Sequence, residues 1–270
     1  MFPSQEKMSS CACPGHRRQH PHTILCNILS WRDTSHLHNK LNHTITGHSC
    51  VCEQGRTVCL KNPDATCPVA SSVLVKTVLF MRGLPSFTQL PARDQFLLLG
   101  DSWAPLFLLG LAQERVVFEV ADVPHSSMLR QILLGQRQSD KEADGTGLPP
   151  THNTVHKLQT RLRRLWNLDL SPKEYAYLRG VMLFNPDVEG LTASFFVEGL
   201  HREAQRALQE VIQLLHPKDT GRLGCILSAA SSIQTVSQNL VLELFFRPVV
   251  GNASLLALLS EMLFIQQDYR

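Results

Sequence analysis

From about residue 69 onward, apolar positions recur at helical spacing along most of the chain. The pattern predicts a first helix over 71–83 (SSVLVKTVLFMRG) and a second over 93–112 (RDQFLLLGDSWAPLFLLGLA). The second is apolar nearly all round, which marks a buried central helix, and Pro105 predicts an interruption in it. RVVFEV (115–120) has the β-branched, alternating look of a short strand. Residues 126–135 predict a helix of two turns: Ser126 and Ser127 offer the start, Gly135 the stop, and Leu129, Ile132 and Leu133 fall at i, i+3 and i+4. A polar loop follows over 136–153. Helical periodicity returns at 156–168, 172–184, 198–215 and 221–246, and an amphipathic helix over 254–265 lies near the end. The sum is an all-α fold with one short strand pair.

The first 67 residues differ. They are polar, with little sustained periodicity apart from one apolar island, Ile24 to Trp31, and hold seven of the eight cysteines. They read as a disordered leader over 1–19 and a poorly ordered stretch over 20–67, ahead of a helical core over about 68–270. The C-x-C pairs Cys11/Cys13 and Cys50/Cys52 invite a zinc reading. Zinc modules show paired C-x2-C or C-x2-C…H-x3-H spacings instead, so no metal site and no cofactor is expected.

Composition narrows the class. At 43% hydrophobic and 18% charged residues, the chain can build a sizeable core. A net charge of +3 is too mild for a nucleic-acid footprint. The one dense basic run, Arg161, Arg163 and Arg164, fits the solvated side of an amphipathic helix. MFPSQEKM lacks the apolar stretch of a signal peptide, and the run from Trp103 to Ala112 is half a membrane span. These point to a soluble intracellular protein without membrane contact.

Catalytic signatures are missing from the sequence: no G-x-S-x-G, Walker loop, H-E-x-x-H or G-x-G-x-x-G occurs. Cys225, among apolar neighbours in GRLGCILSA, is expected to be a buried structural thiol. No catalytic residue is assigned, and the chain is not expected to be an enzyme.

Four segments fit L-x-x-[LI]-L: 25–29, 129–133, 223–227 and 255–259. The last two lie in long helices whose apolar faces a core needs. Leu25, Ile28 and Leu29 sit in the polar leader, which favours a partner's groove as their destination. Leu129, Ile132 and Leu133 stand between core and partner.

Several longer stretches carry a family pattern. KTVLFMRGLPSFTQLPARDQFLLLGDSWAPLFLLGLAQ (76–113) resembles the signature region of nuclear-receptor ligand-binding domains. ALLSEML (257–263) resembles their closing activation helix, and LSPKEYAYLRGVMLFNPD (170–187) and NLVLELFFRPVVG (239–251) match other stretches of that family. The resemblance implies a three-layer helical sandwich with one short β hairpin. It also implies a groove that accepts an L-x-x-L-L helix, lined here by Val78, Arg82, Gln95, Phe96, Leu99, Leu258, Glu261 and Met262. Glu261 would grip the N-terminal N–H groups of such a helix and Arg82 its C-terminal carbonyls. The eight cysteines lack the spacing of that family's DNA-binding domain. The resemblance therefore implies a corepressor without its own DNA reader, in the nucleus, with the cytoplasm open as a second compartment. It would bind the ligand-binding domains of other nuclear receptors as a heterodimer, through Leu25, Ile28, Leu29 and Leu129, Ile132, Leu133, and would recruit transcriptional corepressors. A ligand-regulated receptor, with Phe107, Phe118 and Phe184 candidates to fill its pocket, and a heterodimerisation scaffold built on 221–246 are the alternatives.

Overall fold

Prolines and capping side chains set several helix starts. The computed structural model describes residues 56–124, 150–251 and 253–264, all within the compact unit Cys50–Arg270. β1 (Arg56–Leu60) leads into α1 (Pro63–Gly83), where Pro63 occupies a first-turn position that needs no N–H. A single turn, α2 (Pro85–Thr88), precedes the long α3 (Ala92–Gln113), and β2 (Val120–Pro124) follows. α4 (His152–Asn167) begins on a Thr151–Thr154 capping box and α5 (Pro172–Leu183) on a Ser171–Glu174 capping box. Next come α6 (Ser194–Leu215) and α7 (Arg222–Gln234). α8 (Gln238–Val241) passes through a π-helical stretch, Leu242–Phe246, into α9 (Arg247–Val250), and α10 (Leu255–Phe264) is the last described element.

The fold is all-α and is organised around α3. This helix packs against α1, α4, α5 and α7, and α5 in turn packs against α6. Leu98, Leu99, Ala104 and Leu106 through Leu109 are buried, so the all-round apolar pattern has its expected cause. α1 and α3 are each long and apolar enough to cross a membrane by composition, but 78% of the apolar window in α3 is buried inside the protein. β1 and β2 form a two-stranded antiparallel sheet, with Cys59 opposite Ala121 and Leu60 opposite Val120.

A buried ion pair ties α5 to α7. Glu174 is fully buried; Arg222 Nε donates to its Oε1 at 2.7 Å and Nη2 to its Oε2 at 3.0 Å. The Ser171 N–H donates to the same carboxylate at 2.7 Å. Burial raises the Glu174 pKa, but hydrogen bonds from Arg222 and Ser171, with the guanidinium charge, outweigh it and hold the carboxyl below its ordinary range.

Several expectations from the pattern need correction. Residues 56–67, read as poorly ordered, form β1 and the start of α1, whose Thr66 and Cys67 are buried. The strand begins at Val120 rather than 115, because Arg115 takes a left-handed φ of 51° and Phe118 turns into the core. Gln159 Nε2 donates to the Phe118 carbonyl at 2.9 Å, a side-chain bond in place of a ladder bond. α3 is not interrupted at Pro105. The expected helix 221–246 is broken between Gln234 and Gln238, where buried Val236 turns the chain inward. Cys225 is exposed, because the buried line of α7 runs through Ile226, Ala229, Ala230 and Ile233 and leaves position 225 outside it.

Candidate helix-docking groove

α10 lies against both α1 and α3. Its Leu255, Leu259 and Leu263 fall at i, i+4 and i+8 and are buried, which turns Leu258 and Glu261 outward. Where Leu256 meets α3, a Cβ added at Gly100 would stand 3.8 Å from Leu256 Cδ2, so the helices approach closely there.

The residues expected to line a groove separate into a floor and a rim. Val78 and Leu99 are buried, on α1 and α3 respectively. Gln95 is buried too, and its Nε2 donates to the carbonyls of Leu90 at 2.8 Å and Thr88 at 3.3 Å. Its role is to hold the turn between α2 and α3 rather than to meet a visiting helix. Phe96 and Leu258 are exposed, and Met262 is half-buried. Glu261 is exposed on α10. Arg82, in the last turn of α1, donates from Nη1 to the Met262 carbonyl at 3.2 Å. Arg82 therefore ties the end of α1 to the C-terminal part of α10, a contact that sequence spacing did not indicate.

Two rim residues escaped the reading of the sequence. Val75 and Leu79 on α1 are 41% and 53% exposed. Helical spacing places them beside Val78 and Arg82 on one face. Their signal was the same i, i+4 periodicity that marks core positions, so the pattern alone could not separate rim from core. Together α1, α3 and α10 present Val75, Leu79, Phe96 and Leu258 to solvent, with a cation and an anion among them.

The start of α3 is anchored independently. Asp94 is fully buried and accepts from the N–H groups of Thr192 at 2.9 Å and Ala193 at 2.8 Å. Burial raises its pKa, but these bonds and the nearby Arg93 charge hold the carboxyl below its ordinary range. Asp94 thus pins the segment that carries Gln95 and Phe96 to the approach to α6.

Aromatic rings occupy the interior behind the sheet. Phe107 stands edge-on to Phe246 at 4.9 Å and to Phe245 at 5.5 Å, and Phe118 meets Phe245 at 5.0 Å between centroids. Phe184 is buried as well. The π-helical turn makes this cluster possible, because its extra residue turns the consecutive Phe245 and Phe246 inward together. Leu25, Ile28, Leu29, Leu129, Ile132 and Leu133 lie outside the described residues.

Comparison with known proteins places the chain in a family. The family model described as the ligand-binding domain of nuclear hormone receptor matches residues 61–249. Nuclear receptor subfamily 0 group B member 2 of Rattus norvegicus is 43% identical, over 97% of this chain and 100% of its own length. The Homo sapiens protein of the same name is 46% identical over 80% of this chain and 85% of its own length. Nuclear receptor subfamily 0 group B member 1 of Callithrix jacchus is 36% identical, over 78% of this chain and 48% of its own length. The chain belongs to the nuclear hormone receptor ligand-binding domain family and is a non-enzymatic regulator of transcription.

Proposed function

We propose that this protein is a transcriptional corepressor that binds other nuclear receptors through L-x-x-[LI]-L-like helices, competes with coactivators and recruits repressors, without binding DNA itself. One observation carries the reading: the exposed apolar residues of α1, α3 and α10, with Arg82 and Glu261 beside them, occur in a chain whose sequence also holds the L-x-x-[LI]-L patterns at 25–29 and 129–133. A candidate docking surface and a sequence pattern of the kind it would accept thus occur in one chain. The relatives named nuclear receptor subfamily 0 support the receptor context.

The energetics fit competition. Burying the three side chains Leu25, Ile28 and Leu29 in a receptor groove gives about 5–8 kcal/mol gross. Ordering a short helix and losing translational freedom consume much of that. A single segment then binds at roughly micromolar strength, and a second contact from Leu129, Ile132 and Leu133 or from the folded unit adds avidity. The protein's own groove, with Phe96, Leu258, Arg82 and Glu261 at its rim, serves corepressor recruitment. The filled aromatic interior around Phe107 gives a ligand-regulated receptor less support.

The test is a titration of the full chain against agonist-bound ligand-binding domains of several nuclear receptors. Leu25→Ala with Leu29→Ala, and Leu129→Ala with Leu133→Ala, are run beside it, with folding checked by circular dichroism. Loss of binding in a folded double variant assigns that segment as the docking element. Unchanged binding in both folded variants overturns the proposal and moves attention to residues 221–246.

A further inference from the structure

The outward face of α4 is rich in basic residues, and among the described residues no carboxylate pairs with its lysine or arginines. The helix carries His152, His156, Lys157, Arg161, Arg163 and Arg164, and its sequence HNTVHKLQTRLRRLWN holds no aspartate or glutamate. Val155, Leu158, Leu162 and Leu165 turn inward. His156, Lys157, Arg163 and Arg164 are exposed, and Arg161 is half-buried at their flank. Among the described residues, no ion pair reaches Lys157, Arg161, Arg163 or Arg164. His152 faces Asp122 at 3.6 Å, and Arg164 Nη2 donates to the Ser228 hydroxyl at 3.1 Å. The neighbouring α7 adds exposed Ser228 and Ser231 and no acid.

Elsewhere the same chain answers many of its exposed cations. Lys61 pairs with Glu119, Lys76 with Glu114, Arg115 with Asp169 and Arg202 with Glu198. On α4, Lys157, Arg161 and Arg164 repeat at i, i+4 and i+7, a spacing at which like charges repel. An anionic partner removes that repulsion and gains charge-assisted hydrogen bonds from two kinds of donor, guanidinium and serine hydroxyl.

We propose that α4 is a docking surface for an acidic segment of a partner protein. The cations from Lys157 to Arg164 run about 10 Å along the helix, the length of about three extended residues, so a short run of Glu or Asp matches them. Duplex DNA fits less well. It places one charge per about 1.7 Å over a long footprint, whereas this chain has a net charge of only +3.

The experiment measures fluorescence anisotropy of a fluorescein-labelled octaglutamate peptide with the full chain at low and moderate salt. Lys157→Gln/Arg163→Gln/Arg164→Gln is compared with Lys173→Gln/Arg206→Gln/Lys218→Gln, which removes the same charge from exposed positions outside α4. The expected result is a loss of about tenfold in affinity for the α4 variant, from three exposed ion pairs, and less than about twofold for the control. Lys157→Arg/Arg163→Lys/Arg164→Lys keeps binding. Should the triple glutamine variant fail to fold, Lys157→Glu and Arg163→Glu are read singly, each with a several-fold loss expected. Equal losses in the two charge-matched variants, or no loss in the α4 variants, overturn the proposal. Tighter binding of a short DNA duplex through the same residues also overturns it and makes the partner a nucleic acid. Binding of an L-x-x-L-L peptide at the groove stays unchanged in the α4 variants, which keeps this test separate from that of the proposed function.

Discussion

Gln238 gives the Asp101 carbonyl the hydrogen bond that Pro105 withholds. Proline has no N–H for the carbonyl four residues back, and a helix interior normally breaks or kinks there. Here Gln238 Nε2 donates to the carbonyls of Gly100 at 2.8 Å and Asp101 at 3.2 Å, while its Oε1 accepts from Trp103 Nε1 at 2.8 Å. One amide side chain therefore answers the carbonyl that Pro105 leaves open, holds the Trp103 indole and joins the start of α8 to the middle of α3.

Gln238→Ala should lower stability by about 1–2 kcal/mol, the worth of lost hydrogen bonds at a partly solvated site. That corresponds to a fall in Tm of roughly 2–8 °C. Adding Pro105→Ala, which restores the N–H within α3, should recover part of the loss. Thermal unfolding of the two single variants and the double variant reads the coupling, and strict additivity would rule out the bridging role.

Arg82 and Glu261 should separate by readout. Glu261→Gln should weaken an L-x-x-L-L peptide by roughly two- to fivefold through the lost helix-dipole contact, leaving the fold intact. Arg82→Gln should weaken the peptide and also speed proteolytic cleavage after α10, because the bond to Met262 is gone. Leu79→Asp should abolish peptide binding at the rim without a change in circular dichroism. Anisotropy and limited proteolysis measure these outcomes.

Glu174 and Arg222 should set part of the acid limb of stability. The Glu174 carboxyl is held below its ordinary range in the folded state. Its contribution is complete above the unfolded value, about 4.3, and is lost as pH falls through the lower folded value. Denaturant unfolding across acidic pH should therefore show a shallower slope in Glu174→Gln than in the parent, with Asp94 supplying part of what remains. At neutral pH, Arg222→Leu should cost about 3–5 kcal/mol by leaving a buried carboxylate unpaired.

Phe245→Ala should cost about 3–5 kcal/mol and open space beside Phe107 and Phe118. A small aromatic hydrocarbon should then raise the Tm of the variant and leave the parent unchanged. A clear rise in the parent would restore the ligand-regulated reading.

Most of the helical framework was legible in the sequence, and the reason is local. Helical periodicity, the start of α5 at Pro172 and the basic outer face of α4 depend on residues a few positions apart, so the chain carries them in its order, whereas the starts of α1 at Pro63 and of α4 at His152 lie ahead of the positions 71 and 156 at which the apolar pattern begins. The all-round apolar pattern likewise determined that α3 is buried. Tertiary structure alone decided whether Pro105 breaks that helix, because the compensating Gln238 lies 137 residues beyond Asp101. It also decided the pairing of β1 with β2, the inward turn of Phe245 and Phe246, and the exposure of Cys225. At the candidate groove, Val78 and Arg82 lie on α1 and Phe96 and Leu99 on α3, but an apolar side chain at i, i+4 is the same signal whether it is buried or exposed. The packing of α1, α3 and α10 on one another leaves Leu79 and Phe96 exposed and Val78 and Leu99 buried, and brings Arg82 to the Met262 carbonyl. Burial depends on what a residue meets across the fold, which local spacing does not specify.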